Sequence, residues 1–152
     1  MKIPFLNRFL SDSNPETLKS TYHSSLSASN KAQFGKLLTA IVQELPDLLA
    51  VSVIDLKSSE LLASQHVVGK SNPAKAAAAN TEVIQQQQQA LQALGLAGEE
   101  TIEDILITLR SQWHILRLLP GNRYVIHLMV SMRSTNLGIA REVLRTHAAP
   151  VG

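Results

Sequence analysis

The side chains best placed to do chemistry near neutral pH are five histidines, His23, His66, His114, His127 and His147. An imidazole titrates in the physiological range and ligates metals, so a cluster of them would mark an acid–base or metal site. Their spacing does not build one. His114 and His127 fall on one face of neighbouring strands if the turn at Pro120-Gly121-Asn122-Arg123 closes a hairpin. Two imidazoles are too few for zinc, which takes three or four ligands, and the same-face neighbours Leu116, Val125 and Met129 add none. Two half-buried histidines beneath a helix are the simpler reading. His66 ends a strand, His23 lies in the N-terminal stretch, and His147 falls in a last helical turn, where a cation is modestly favoured.

Nucleophilic chemistry has less support still. The chain has no cysteine, which removes thiolates, disulfides and Cys-based zinc together. Its serines gather in the N-terminal stretch and in turns, with no Gly-x-Ser-x-Gly elbow. There is no Gly-x-x-x-x-Gly-Lys-Ser/Thr loop to hold a nucleotide. Glu99, Glu100, Glu103 and Asp104 bracket a strand start and read as solubilising or partner-facing charge. No catalytic residue, cofactor or metal ligand is expected, and the chain reads as a binding protein rather than an enzyme. Arginines remain: one supplied in trans can stabilise phosphoryl transfer in a GTPase. Arg110 and Arg123 sit in turns and are the candidate partner-binding residues, whereas Arg117 lies on an apolar face and is expected to snorkel or meet an acid.

These residues belong to one domain of 152 residues, 45% apolar and 17% charged. Fourteen basic against 12 acidic residues give a net charge of +2, scattered rather than clustered, and aromatics are 4%. That balance argues against nucleic acid. No run approaches the ~20 apolar residues of a membrane span, and Asn7 and Arg8 interrupt the apolar start that a signal peptide would need. The expected location is the cytoplasm. Ile3, Phe5, Leu6, Phe9 and Leu10 are expected to dock on protein, a membrane surface being the lesser alternative for residues 1–10.

Residues 1–29 read as a tail, with a short helix suggested by Leu18, Tyr22 and Leu26. The domain is expected over 30–148. Phe34, Leu37, Leu38, Ile41, Val42 and Leu45 recur at steps of three and four, which predicts a helix from Lys31 to Leu45, capped by Asn30 and stopped by Pro46. Leu48 to Asp55 and Leu61 to Val67 predict a strand hairpin across Lys57-Ser58-Ser59-Glu60. Asn72-Pro73 opens a second helix to Leu94, closed by Gly95, with five glutamines on its solvated face. Three strands follow, Thr101 to Leu109, Trp113 to Leu119 and Tyr124 to Met132. A last helix, Asn136 to His147, is expected to be capped by Ser134 or Thr135.

The Pro-Gly turn predicts that Leu119 faces Tyr124, Arg117 faces Ile126, Ile115 faces Leu128 and Trp113 faces Val130. Both faces of that hairpin are then apolar and both need covering, most simply by two helices on one side and one on the other.

This order resembles the roadblock family, also called the dynein light-chain family. The likeness runs from about Phe34 to His147. It rests on Leu45-Pro46-Asp47-Leu48-Leu49-Ala50-Val51-Ser52-Val53-Ile54-Asp55, on the small-residue opening Ala76 to Asn80, and on the terminal helix Asn136 to Arg145. The resemblance implies an α/β (α+β) domain of profilin-like topology, a five-stranded antiparallel sheet between three helices in the order α-β-β-α-β-β-β-α. It further implies pairing of two copies through an edge strand and the middle helix, and small GTPases as partners. The sequence departs from the family where a hairpin glycine is usual and Lys57-Ser58-Ser59-Glu60 stands.

Pairing is also suggested by the residues themselves. An apolar edge strand is a liability unless something adds to it, and an alanine-rich helix start permits close backbone approach. The expected homodimer surface therefore contains Ala77, Ala78, Ile84, Ile105, Ile107 and Leu109. The expected function is a homodimeric regulatory or scaffolding domain with a small GTPase as partner. A small-molecule sensor with a pocket between sheet and helix is the alternative.

Overall fold

The structure, a computed structural model, describes residues 17–151. The apolar N-terminal decapeptide lies outside the described residues. The elements run β1 (Leu18–Tyr22), α1 (Ala28–Glu44), β2 (Leu48–Asp55), β3 (Leu61–Val67), α2 (Pro73–Ala93), β4 (Asp104–Thr108), β5 (Gln112–Leu118), β6 (Tyr124–Ser131) and α3 (Leu137–Ala148). The strands form one antiparallel sheet in the order β1-β3-β2-β6-β5-β4.

The sheet is apolar on both sides and covered on both. Val51, Val53, Ile115, Ile126, Leu128 and Val130 meet Phe34, Leu38 and Ile41 of α1 and Ala140 and Leu144 of α3. On the other side Ile54, Leu116, Leu118 and Val125 meet Ala77 and Ile84 of α2. Fully burying a Leu- or Ile-sized side chain is worth about 1.5–3 kcal/mol, so each helix is held mainly by this stripe. Two helices on one face and one on the other is the arrangement expected from the hairpin pattern.

That hairpin has the predicted register: Trp113 opposes Val130, Ile115 opposes Leu128 and Arg117 opposes Ile126. Leu119 N–H donates to Tyr124 O at 2.9 Å. The turn carries Asn122 N–H to Leu119 O at 3.0 Å around Pro120 and Gly121, and Gly121 takes φ +86°. Proline then glycine at the centre is what a type II turn requires. In the β2–β3 turn, where the family's usual glycine is missing, Ser59 takes φ +61°, a left-handed conformation that costs a non-glycine residue about 1–2 kcal/mol.

Three expectations need correction. Helix α1 is capped by Ser27, whose Oγ accepts Asn30 N–H at 3.1 Å, rather than by Asn30 itself. Helix α3 is capped by Asn136, whose Oδ1 accepts Ile139 N–H at 3.1 Å, rather than by Ser134 or Thr135. Both fit the same rule, a short polar side chain reaching the N–H three residues on, applied at a different residue.

The third correction is larger. The sheet has six strands, not five, because residues 18–22 form a strand and not a short helix. Leu18 to Tyr22 pair with Val67 to Ala63, completing the backbone bonds that β3 would otherwise leave open. The sheet therefore begins upstream of residue 30. Thr21 Oγ1 lies 2.7 Å from Ser64 Oγ, and the Lys31 ammonium sits 5.2 Å from the Tyr22 ring centroid. Gly35 of α1 leaves room for the phenol: a Cβ there would come within 2.9 Å of the Tyr22 hydroxyl. Gly35→Leu should displace Tyr22 and raise amide exchange across Leu18–Tyr22 at least tenfold while α1 stays protected. Unchanged exchange in β1 would show that the glycine is not what admits the strand.

Candidate functional site

Among the described residues strand β4 is an open edge of the sheet, and the ladder to β5 fixes which of its backbone groups turn outward. Leu109 N–H donates to Gln112 O at 2.9 Å, and Glu103 O accepts from Leu118 N–H at 3.2 Å. Odd-numbered residues thus turn their N–H and C=O toward β5. By alternation, Asp104, Leu106 and Thr108 turn theirs outward. The side chains of Ile105 and Ile107 pack, half-buried, against the core beneath α2. Leu106 and Leu109 remain 40% and 46% exposed.

The opposite edge differs. Strand β1 reads Leu-Lys-Ser-Thr-Tyr, five residues long like β4 but carrying an exposed Lys19. Edges bearing lysine resist further pairing, whereas an apolar edge invites it.

The remaining expected interface residues separate by burial. Ala77 and Ile84 are fully buried within the chain's own core, where they seat α2 on the sheet. Ala78 is exposed, in line with Ala74 and Glu82 on the outer stripe of α2. The alanines of that stripe leave the backbone open to close approach, with Asn72 capping the helix through Lys75 N–H at 3.1 Å.

Arg110 and Arg123 do not come together. They stand beyond opposite ends of the seven-residue β5, roughly 20 Å apart at a rise of about 3.3 Å per residue. Arg123 is anchored: its Nε and Nη2 both donate to Asp55 Oδ2 at 3.3 Å, and its guanidinium lies 5.0 Å from the Tyr124 ring centroid. Asp55 also accepts Lys57 N–H at 2.8 Å, so one carboxylate ties the β2–β3 turn to β6. Its position before a serine-rich turn was a readable signal for such a role. Arg110 is exposed.

Arg117 meets an acid, as expected. Its Nη1 lies 3.4 Å from Asp104 Oδ2, and the same carboxylate receives Arg141 of α3 through Nε at 3.2 Å and Nη2 at 3.1 Å. The link between β4, β5 and α3 through Asp104 had no sequence signal, since 37 positions separate it from Arg141.

Between α2 and the sheet runs a polar row. Ser52 stands opposite Ser64 on one side and His127 on the other. His127 Nε2 lies 3.1 Å from His114 Nδ1, and His114 Nε2 lies 3.1 Å from Gln112 Oε1. One ring nitrogen of the pair donates and the other accepts, so the two rings are not both protonated. Among the described residues no group of three or more His, Cys, Asp or Glu could hold a metal ion. Burial lowers the pKa of His114, and burial, with His114 as the second cause, lowers that of His127 to about 3.

The sign of the pH effect follows. Unfolded His127 titrates at its ordinary 6.5, so below that value the unfolded chain binds the additional proton. This contribution to stability is complete above pH 6.5 and is lost as the pH falls toward 3. Unfolding free energy should drop by about 2 kcal/mol between pH 7.5 and 5 on this account, and His127→Leu should flatten that slope in urea titrations. A variant with the wild-type slope would remove His127 as the cause. Ser52 Oγ is buried with no hydrogen-bond partner. Ser52→Ala should therefore raise the unfolding free energy by about 1 kcal/mol, and a loss instead would show that the hydroxyl is satisfied in solution.

No protein-family model matches the chain, and no curated protein matches it. Solved structures do. Gliding protein MglB from Thermus thermophilus superposes with a TM-score of 0.67 at 14% identity, over 84% of this chain and 92% of that one. MglB from Myxococcus xanthus gives 0.63 at 14% identity, over 76% and 90%. A Roadblock/LC7 domain from Streptomyces avermitilis gives 0.57 at 12% identity, over 74% and 89%. Helices on both faces of an antiparallel sheet, together with these superpositions, give this chain the fold of a roadblock-type domain.

Proposed function

We propose that this chain is a regulatory or scaffolding domain that acts by binding proteins, pairing with a second copy of itself and engaging a small P-loop GTPase. The observation that carries the reading is the edge strand β4, apolar at Ile105, Leu106 and Ile107 and open along one side. With the other edge blunted by Lys19, β4 is the side on which a second copy would extend the sheet. Ala74 and Ala78 on the outer stripe of α2 supply the adjoining helical contact, while Ala77 and Ile84 support it from beneath.

The GTPase rests on the resemblance to the roadblock family and on the fold. Arg110 and Arg123 are its candidate contacts, and their separation lies within the span of a standard interface of about 800 Å² per partner. The sensor reading has less to support it. Under the first half of α2 the space is filled by Ala77, Ile84, Leu116 and Val125, all fully buried, and the cleft of about 250 Å³ between Gln88, Leu91 and Gln92 of its second half and Ile102 and Leu118 is open to solvent. The cleft bordered by Thr21, His23, Glu60 and Ala74, about 390 Å³, opens at the surface.

Capture from native cell extract with a GTP analogue or GDP present, read by mass spectrometry, tests the proposal. Enrichment of a P-loop GTPase that depends on the nucleotide is expected, reduced by Arg110→Ala or Arg123→Ala. Recovery of partners indifferent to nucleotide would replace the regulator with a scaffold.

A further inference from the structure

Ile3, Phe5, Leu6, Phe9 and Leu10 set large apolar side chains close together ahead of the sheet. A stretch of that kind seeks a surface to cover it, and β1 fixes where it is tethered. Leu18 opens β1 opposite Val67, and Leu18 and Tyr22 pack against the core on the side of α1 and α3. Lys19 and Ala50 both stand opposite His66, so the chain enters level with the start of β2, and hence with the end of α1.

Helix α1 separates this tether from an apolar cleft. On one flank a Cβ at Gly35 would touch Tyr22, and Thr39 Oγ1 accepts Gln65 Nε2 of β3 at 3.2 Å. On the opposite flank Leu37 and Ala40 form a cleft of about 280 Å³ with Pro150 and Val151, which follow α3. Lys36 and His147 stand on its rim, and His147 is turned to Glu44, its Nε2 2.9 Å from Oε1. The cleft under the second half of α2 and the one beside His23 instead have glutamine, glutamate and threonine in their walls. The cleft between α1 and the end of α3 is therefore the one whose chemistry suits an apolar segment.

Reach and charge agree with that occupant. Half a circuit of a helix about 10 Å wide, together with two turns back to Leu37, makes a path of roughly 20 Å. Ser11 to Thr17 reaches about 24 Å when extended. That spacer carries Asp12 and Glu16 and no base, while α1 has no acid before Glu44. Lys36 is exposed and holds no ion pair among the described residues. A spacer crossing α1 lays acids over a helix face that offers only cations.

We propose that residues 3–10 fold back across α1 and seat in the cleft between α1 and the end of α3, with Asp12 and Glu16 passing over Lys36. A segment on a short tether meets its site at an effective concentration in the millimolar range, so even a weak site is filled. Neither a second copy nor a GTPase enters this contact.

Trypsin reads the contact at the Arg8–Phe9 bond of the full chain. Ala40→Arg fills the cleft from one wall, and Phe5→Ser with Leu6→Ser weakens the segment without touching the folded body. Each change should speed cleavage after Arg8 about tenfold, since proteolysis follows the fraction of open segment. An unchanged rate in the Phe5→Ser, Leu6→Ser chain overturns the proposal, whether or not Ala40→Arg folds. Because the chain has no cysteine, a single nitroxide then gives the location. On Gln33→Cys, at the cleft, it should broaden the amides of Phe5 to Leu10, and on Gln86→Cys, exposed on α2, it should not. Broadening from both positions or from neither overturns the cleft as the site. Broadening carried between chains in a mixture of labelled and unlabelled copies assigns the cleft to another copy's segment and overturns the fold-back. Vesicles of phosphatidylserine and phosphatidylcholine that abolish the broadening overturn it in favour of a lipid surface.

Discussion

Central strands that are apolar on both faces leave a sheet only its edges on which to meet anything else. Val51 and Val53 point to one side and Ile54 to the other, and β6 repeats this with Ile126 and Leu128 against Val125. Both faces must be covered, and here α1 and α3 cover one while α2 covers the other. Every other feature follows from this double burial. The helices are amphipathic because they cover it, the turns are tight because the strands must stay in register beneath them, and recognition is displaced to the rim. At the rim the two ends are treated differently, one finished with a strand bearing lysine and the other left apolar.

How much of this was legible depended on how local the cause was. The hairpin register could be read because Pro120 and Gly121 force a turn, and turn geometry propagates into pairing two residues at a time. The helical stripes could be read because their periods are long and regular. The helix caps were displaced because serine, asparagine and threonine stand close together at each start, and the sequence does not say which one faces the free N–H groups. Strand β1 was missed because Leu18, Tyr22 and Leu26 also fit a helical period. What decides in favour of strand is the open edge of β3, a tertiary constraint to which local spacing is blind. Of the surface residues, Ile105, Ile107 and Leu109 were placed by edge logic, whereas Ala77 and Ile84 were drawn from the helix face that turns out to be internal. Small residues mark close packing without saying whether the neighbour is the same chain or another.

The space between α2 and the sheet combines two kinds of interior. Toward the β2–β3 and β5–β6 turns it is hydrocarbon, with Ile54, Leu118 and Val125. Toward the middle it becomes a row of hydroxyls and imidazoles, Ser64, Ser52, His127 and His114. A helix on hydrocarbon alone can slide or rotate at little cost, while hydrogen-bonding groups have preferred positions. Asn80 and Thr81 are likewise buried polar residues on the inner face of α2, Thr81 bonding back to Ala77 O at 2.9 Å.

Asp104 has two unrelated attachments. Its backbone faces outward along the open edge, and its carboxylate, 10% exposed, is gripped by Arg117 from the neighbouring strand and Arg141 from α3. One carboxylate thus joins the edge strand, its neighbour and α3, three elements that come from separate stretches of the chain. The same residue that offers its backbone to the rim is, through its side chain, a fastening of the helical layer above it.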